Sequence, residues 1–272
     1  MTMLPRPKKA LGQNFLTDRN CIERIIAAGR LGESDPVLEI GPGRGALTEI
    51  LASRPAGLIA IEFDRELAAL HRQRYHDTPT VQIVEEDVLK SDFSTLLAKG
   101  APYTVIANLP YNISTPVLFK FLEHRLLFRR LVVMLQKEVG ERLAAPPDCS
   151  DYGVLTILFR QWFEVRREFL VKPGCFYPPP KVDSVVISLT PRPESLVVVE
   201  DQALFEQVVR GGFSMRRKTL WNCLRSTLSL PEHTLAAACD QAGIDPKRRG
   251  ETLTIEEYAR LSTVLKQNQP AG

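Results

Sequence analysis

The 272-residue sequence predicts an α/β protein, a parallel sheet with a nucleotide-type site followed by a small all-helical domain. Three observations lead there. Short apolar runs alternate with stretches of helical periodicity through the first two thirds of the chain. One of those runs passes directly into a glycine turn, Gly41-Pro42-Gly43-Arg44-Gly45. After Pro191 and Pro193 the strand signal stops and only amphipathic helices follow. The length suits one large domain plus a small one, and we expect them at 1–195 and 196–272.

Composition removes several classes. Hydrophobic content of 44% and charged content of 25% are those of an ordinary globular protein. No stretch approaches the roughly 18 apolar residues that suggest a membrane span, so no membrane role is expected. The basic start, Met1 to Lys9, lacks a following apolar region, so no secretory signal is read. Cys21, Cys149, Cys175, Cys223 and Cys239 are scattered without metal-ligand spacing. They read as reduced thiols of a cytoplasmic protein with no metal site. A net charge of +3 is mild, so a nucleic-acid footprint must come from clustering.

Taken in order, a basic tail reaches Gly12-Gln13-Asn14-Phe15-Leu16, polar groups beside two apolar anchors. On its own this reads as a loosely docked arm. Asp18 is placed to cap a helix through Ile22, Ile25 and Ile26. Pro36–Ile40 is a short buried strand, and Leu47, Ile50 and Leu51 mark the helix after the glycine turn. Glycines there allow a sharp turn and close approach of a ligand to the backbone. The next strand, Leu58–Ile61, ends in Glu62, about 20 residues on, where a carboxylate can hold both hydroxyls of a ribose. The third, Val81–Val84, delivers Glu85, Glu86 and Asp87. A carboxylate here can take an adenine amino group, and Glu85 reads as a solvated strand end.

The fourth strand, from Tyr103, carries Asn108-Leu109-Pro110-Tyr111 at its tip. This combination suits a planar amine. The Asn108 side-chain oxygen can accept one N–H and the Leu109 carbonyl the other, with Pro110 fixing the backbone direction. Tyr111 can lie against the ring that bears the amine. The exocyclic nitrogen of adenine is a poor nucleophile, and two acceptors around it favour a tetrahedral nitrogen with its lone pair aimed at an electrophile. Ser114 is placed to cap the following helix. A fifth strand, Leu131–Leu135, precedes helices over Lys137–Ala144 and Val154–Phe163. Strand signals at Glu164–Val171 and Asp183–Leu189 enclose Phe176-Tyr177-Pro178-Pro179-Pro180, a stiff loop suited to project an aromatic. The plainer alternative is a connector whose Phe176 simply packs. Beyond residue 200, Arg210, Arg216, Arg217, Lys218 and Arg225 fall on amphipathic helices with no acid between Glu206 and Glu232. Cations without counter-charge suggest phosphate binding. Thr254 and Glu257 form a capping box, with Leu253 and Tyr258 as its staple.

Together the glycine turn, the spaced acids and Asn-Leu-Pro-Tyr resemble a Rossmann-like class I S-adenosylmethionine-dependent methyltransferase acting on an adenine amine. Gly12–Leu16 and the stretch from Phe176 to Ser184 narrow the resemblance to the bacterial small-subunit branch of the ribosomal RNA adenine dimethyltransferase family. It covers nearly the whole chain. It implies a cofactor site of Asn14, Leu16, Gly41, Glu62, Asp87 and Asn108. It also implies that the target adenine lies between Tyr111 and Phe176, its amine held by Asn108 and the Leu109 carbonyl. Tyr177 makes the loop bulkier than the family motif requires and leaves open which ring stacks. Family members dimethylate N6 of two adjacent adenosines in a hairpin near the 3′ end of small-subunit (16S) ribosomal RNA, within a partly assembled 30S particle. The helical domain is then the natural RNA-binding part, and a monomer is expected. The alternatives are the related large-subunit enzyme of the macrolide-resistance type and an added non-catalytic assembly-checkpoint role.

Overall fold

A computed structural model describes residues 5–54, 56–98 and 102–268, so the first four residues of the basic start lie outside it. The chain packs as two compact units, residues 1–140 with 164–191, and 141–163 with 192–272. In place of one boundary near 195 the chain passes between the units three times, after residues 140, 163 and 191. The stretch 141–163, whose helix Val154–Trp162 buries Ile157, Leu158 and Phe159, groups with the helices beyond 192.

In the first unit the strands are β1 (Phe15–Leu16), β2 (Val37–Ile40), β3 (Leu58–Glu62), β4 (Val81–Glu85) and β5 (Tyr103–Asn108). They continue with β6 (Phe128–Gln136), β7 (Phe163–Val171), β8 (Phe176–Tyr177) and β9 (Ser184–Pro191). Seven form one sheet in the order β4-β3-β2-β5-β6-β9-β7. From β4 to β6 every pairing is parallel, and β9 returns antiparallel to β6. β2 and β3 are buried at every position, as strands covered on both faces must be. Strand order reverses at β2, which pairs with β3 on one side and β5 on the other. The crevice outside the carboxyl ends at such a reversal is where open α/β sheets bind ligands. β1 and β8 form a separate antiparallel ribbon, Phe15 opposite Tyr177 and Leu16 opposite Phe176.

The core under this edge joins Ile25, Val37, Leu51, Ile106, Val132 and Val186 with Leu16 and Phe176 from the ribbon. Each such side chain stabilises the fold by roughly 1.5–3 kcal/mol on full burial. β6 begins three residues before the apolar run suggested, because buried Arg130 is fully engaged. Its Nε donates to the Ala28 carbonyl at 2.7 Å, and its other nitrogens reach Thr190 at 3.0 Å and Glu168 at 3.2 Å. Asp18 caps its helix through the Cys21 amide, as expected. Ser114 does not cap. Ile113 occupies the cap position, and Ser114 lies inside the helix with its hydroxyl donating to the Tyr111 carbonyl.

The second unit is helical, over Gln202–Gly212, Leu220–Thr227, Glu232–Gln241 and Ile255–Gln267 besides Val154–Trp162. Thr254 and Glu257 form the reciprocal capping box, with Leu253 and Tyr258 both fully buried beside it. The five cations are not all free of counter-charge. Arg210 lies 3.9 Å from Glu206 and Arg225 3.0 Å from Glu232, the two acids that bound the acid-free stretch. Arg216, Arg217 and Lys218 are exposed and make no ion pair among the described residues.

No helix among the described residues is long and apolar enough to cross a membrane. Gly140 packs so closely on β9 that a Cβ there would overlap the Val185 side chain. Gly140→Ala should therefore destabilise the protein by about 1–3 kcal/mol despite alanine's better helix propensity. A lowered denaturant midpoint with an unchanged slope is the expected result, and an unchanged midpoint would contradict this packing.

Candidate functional site

Parallel register brings the carboxyl ends of β2, β3, β4 and β5 to one edge, and a pocket opens there. The turn after β2 has Gly41 at φ +66° and Gly43 at φ +58°, the left-handed region that glycine adopts without strain. At Gly43 an added Cβ would also press on the Phe15 ring at 3.0 Å, so the turn is tight against the arm as well. The Gly41 amide donates to the Ile61 carbonyl at 2.9 Å, tying the turn to β3.

Three buried acids stand at this edge, each shifted differently. Glu62, 6% exposed, accepts from the Gly43 amide at 3.0 Å and the Asp64 amide at 2.8 Å. Burial pushes its pKa up, opposed by those amide hydrogen bonds. Glu39 faces the pocket from within β2, is 1% exposed, and leaves Oε2 without a hydrogen-bond partner among the described residues. Burial first, and then the charge of Glu62, push its pKa up to about 8. Asp64 is 3% exposed, and burial would raise its pKa, yet hydrogen bonds from Lys8 and Gln13 hold it below the usual value. Asp87 lines the same pocket and accepts from the Leu89 amide at 2.9 Å. Glu85 does not. It is exposed and paired with Arg72 at 2.7 Å.

The elbow after β5 forms another wall. Asn108, Leu109, Pro110 and Tyr111 all line the pocket, with Leu109 buried and its amide donating to the Met134 carbonyl at 3.2 Å. Asn108 Nδ2 donates to the Asn14 carbonyl at 3.2 Å, which turns the side-chain oxygen away from the arm. The Tyr111 hydroxyl bonds Ser184 Oγ at 2.6 Å, fixing the ring. The arm is not loosely docked. Lys8 and Gln13 bond Asp64 at 2.7 and 2.9 Å, and the Arg44 guanidinium donates to the Pro5 carbonyl and lies 4.6 Å from the Phe15 ring centre. Asn14 and Leu16 thereby reach the pocket lining.

The residues implied for the cofactor, Asn14, Leu16, Gly41, Glu62, Asp87 and Asn108, thus converge on one pocket, together with Leu109, Pro110 and Tyr111. Phe176 is not brought among them. It is 4% exposed and packed in the core, whereas its neighbour Tyr177 is 56% exposed. Sequence reasoning passed over Phe63, which lines the pocket and is 61% exposed. A large apolar residue between two acids at a strand's end was the available signal. It also passed over Glu39, betrayed only by an acid in an otherwise apolar strand, and over Asp64.

This donor set fits S-adenosylmethionine. Glu62 and Asp87 offer carboxylate oxygens at two strand ends, Phe63 offers an open ring for a flat base, and the glycines of the turn have no side chains to keep a ligand from its backbone. No cluster of three potential metal ligands occurs among the described residues.

Residues 5–267 match the family model described as ribosomal RNA adenine dimethylase. A ribosomal RNA small subunit methyltransferase A from Geobacter metallireducens is 52% identical over 263 residues, 96% of each chain. Among solved structures, a dimethyladenosine transferase from Plasmodium falciparum superposes with a TM-score of 0.75 at 30% identity, covering 91% of this chain and 95% of that one. The 23S rRNA methyltransferase ErmE gives 0.69 at 28% identity, covering 93% and 100%.

Glu39 makes stability depend on pH. With a pKa of about 8 in the folded protein against an ordinary 4.5, the folded state keeps a proton that the unfolded chain releases. Stability should therefore fall as pH rises from the lower value to the higher. Glu39→Gln should remove that slope, becoming more stable than the parent by on the order of a few kcal/mol at pH 8 and little changed at pH 4. Denaturation at both pH values measures this, and parallel curves would place an ionised Glu39 in the fold.

Proposed function

The chain belongs to the ribosomal RNA adenine dimethylase family, and within it we propose that it dimethylates N6 of two adjacent adenosines in a hairpin near the 3′ end of small-subunit (16S) ribosomal RNA. The family acts on ribosomal RNA with S-adenosylmethionine as methyl donor, and the enzyme class follows from membership. The observation that carries the finer reading is the meeting of Asn108 with Glu62 and Asp87 in one pocket. That arrangement puts an amine acceptor beside the acids suited to a nucleoside cofactor. The small subunit is favoured over the large by identity, 52% to the small-subunit enzyme against 28% to the 23S enzyme. The substrate we propose is a partly assembled 30S particle, met by a monomer in the cytoplasm.

In this reading Glu62 holds the ribose, Asp87 the adenine amino group, and Asn14 and Leu16 cover the cofactor from the arm. The cofactor's sulfonium supplies the methyl group. The chain's own contribution is alignment. Asn108 Oδ1 and the Leu109 carbonyl accept the two N–H bonds of the target amine and direct its lone pair. Tyr111, fixed through Ser184, gives the base one stacking face. The second face comes from the loop beginning at Phe176, whose open ring is Tyr177. No strong general base is needed, because methylation acidifies the amine and its proton can leave to solvent. The acceptors favour a tetrahedral nitrogen over the planar ground state, which is the differential binding that lowers a barrier.

The helical unit is the proposed RNA-binding part, through Arg216, Arg217 and Lys218. Neutralising those three should weaken RNA binding and flatten its salt dependence by about 0.7–0.9 log unit per lost phosphate contact, leaving cofactor affinity alone. Filter binding over a salt series tests this, and an unaltered slope would move the RNA surface elsewhere.

Asn108→Ala should lower methyl transfer on the order of 100-fold while RNA binding persists. The parent enzyme should carry its product on to N6,N6-dimethyladenosine. Mass spectrometry of small-subunit particles incubated with labelled cofactor reads both points. Label on a cytosine or a ribose, or full activity in the variant, would refute the mechanism.

A further inference from the structure

Asp64 is a charged side chain with almost no access to water, and capping a helix does not explain that burial. It caps Arg65–Arg74 through the Glu66 amide at 3.1 Å, but Asp18 and Asp92 cap their helices while exposed. What covers Asp64 is the N-terminal arm. Lys8 Nζ lies 2.7 Å from Oδ1 and is held a second time by Glu66 at 3.2 Å. Gln13 Nε2 donates to Oδ2 at 2.9 Å, and Gln13 Oε1 accepts the Lys8 amide at 2.8 Å, so residues 8–13 close into a loop over the carboxylate. The next residues, Asn14, Phe15 and Leu16, line the pocket. Meanwhile the backbone amide of the same Asp64 donates to Glu62 Oε1 at 2.8 Å. One residue therefore joins the acid on the pocket wall to the segment that forms the pocket's other lining.

We propose that Asp64 is a positioning residue for cofactor binding. Its side chain clasps the arm shut through Lys8 and Gln13, and its amide holds Glu62 toward the ribose. The inference rests on Glu62 being the ribose ligand. Charge-assisted bonds to a desolvated carboxylate are the strong class of protein hydrogen bond, and burial here makes loss of either partner costly. The clasp holds one wall of the pocket in place, so breaking it is expected to loosen the hold on S-adenosylmethionine and S-adenosylhomocysteine and to speed their exchange. Phe15 and Leu16 also pair with Tyr177 and Phe176, so a closed arm orders the aromatic loop at the same time.

The test uses the full-length protein. The dissociation rate of S-adenosylhomocysteine is measured by displacement, and tryptic cleavage after Lys9 is followed alongside it. Lys8→Met with Gln13→Met should speed both by roughly tenfold, and KM for S-adenosylmethionine should rise by a larger factor than kcat falls. Asp64→Asn should do the same, and combining it with the arm substitutions should add little, because all three remove one interaction. Glu62→Ala should weaken cofactor binding without speeding cleavage of the arm. A lowered melting temperature with unchanged dissociation and cleavage rates in the arm variant would show a merely structural contact and overturn the proposal. Unchanged cofactor affinity in Glu62→Ala would instead remove the ribose assignment, and with it the part given to the Asp64 amide.

Discussion

Everything at the site depends on β2 being paired in parallel on both sides. A central strand with parallel neighbours forces each connection to cross over the sheet and return, so β2, β3 and β5 all finish at the same edge. Ile40 pairs with Ile61 and with Ala107, and the residues that follow, Gly41, Glu62 and Asn108, emerge side by side. Their separation in sequence is therefore irrelevant to their meeting. A glycine turn at Gly41 would be only a loop if β3 and β5 lay elsewhere.

That edge is also where acids cluster in a mostly apolar surround, and the three buried ones show how one environment shifts carboxyls differently. Glu39 has no cation or amide to offset its desolvation, so it keeps its proton to about pH 8. Glu62 is nearly as buried but faces two backbone amides, which partly restore its preference for the ionised form. Asp64 meets Lys8 and Gln13 and is more acidic than usual. The same burial pushes the Glu39 and Glu62 carboxyls up, and what separates Glu62 from Glu39 is the pair of amide hydrogen bonds that opposes the shift.

Much of this was legible in the sequence because the features are local. The β3 and β4 strands fall within one residue of their apolar runs, and Thr254 with Glu257 forms the box that their spacing required. The failures share a cause, which is dependence on distant partners. Arg130 belongs to β6 only because Ala28, Thr190 and Glu168 satisfy it. Arg210 and Arg225 looked free because Glu206 and Glu232 border the acid-free stretch from outside. Residues 141–163 read as part of the first domain by position, while their apolar helix packs with the later helices. Phe176, expected to project from its stiff loop, is drawn into the core by pairing with Leu16, more than 150 residues earlier. Asp64 was passed over, because nothing near it in sequence indicates Lys8 and Gln13 above it.

The arm and the reaction centre meet in one further contact, between Asn108 Nδ2 and the Asn14 carbonyl. An amide side chain has two ends, and committing the nitrogen to the arm orients the oxygen. If that oxygen is the acceptor for the target amine, its aim depends on where Asn14 is held. Asn14 in turn follows Gln13, fixed to Asp64, and precedes β1, paired with β8. With the arm displaced, Asn108 would lose the partner that distinguishes its two ends and could present an N–H to the adenine as readily as an oxygen. A donor facing a donor repels the base. On that reading the segment that lines the proposed cofactor pocket also decides how the Asn108 amide faces the base, and displacing the arm is expected to impair cofactor binding and transfer for a single reason.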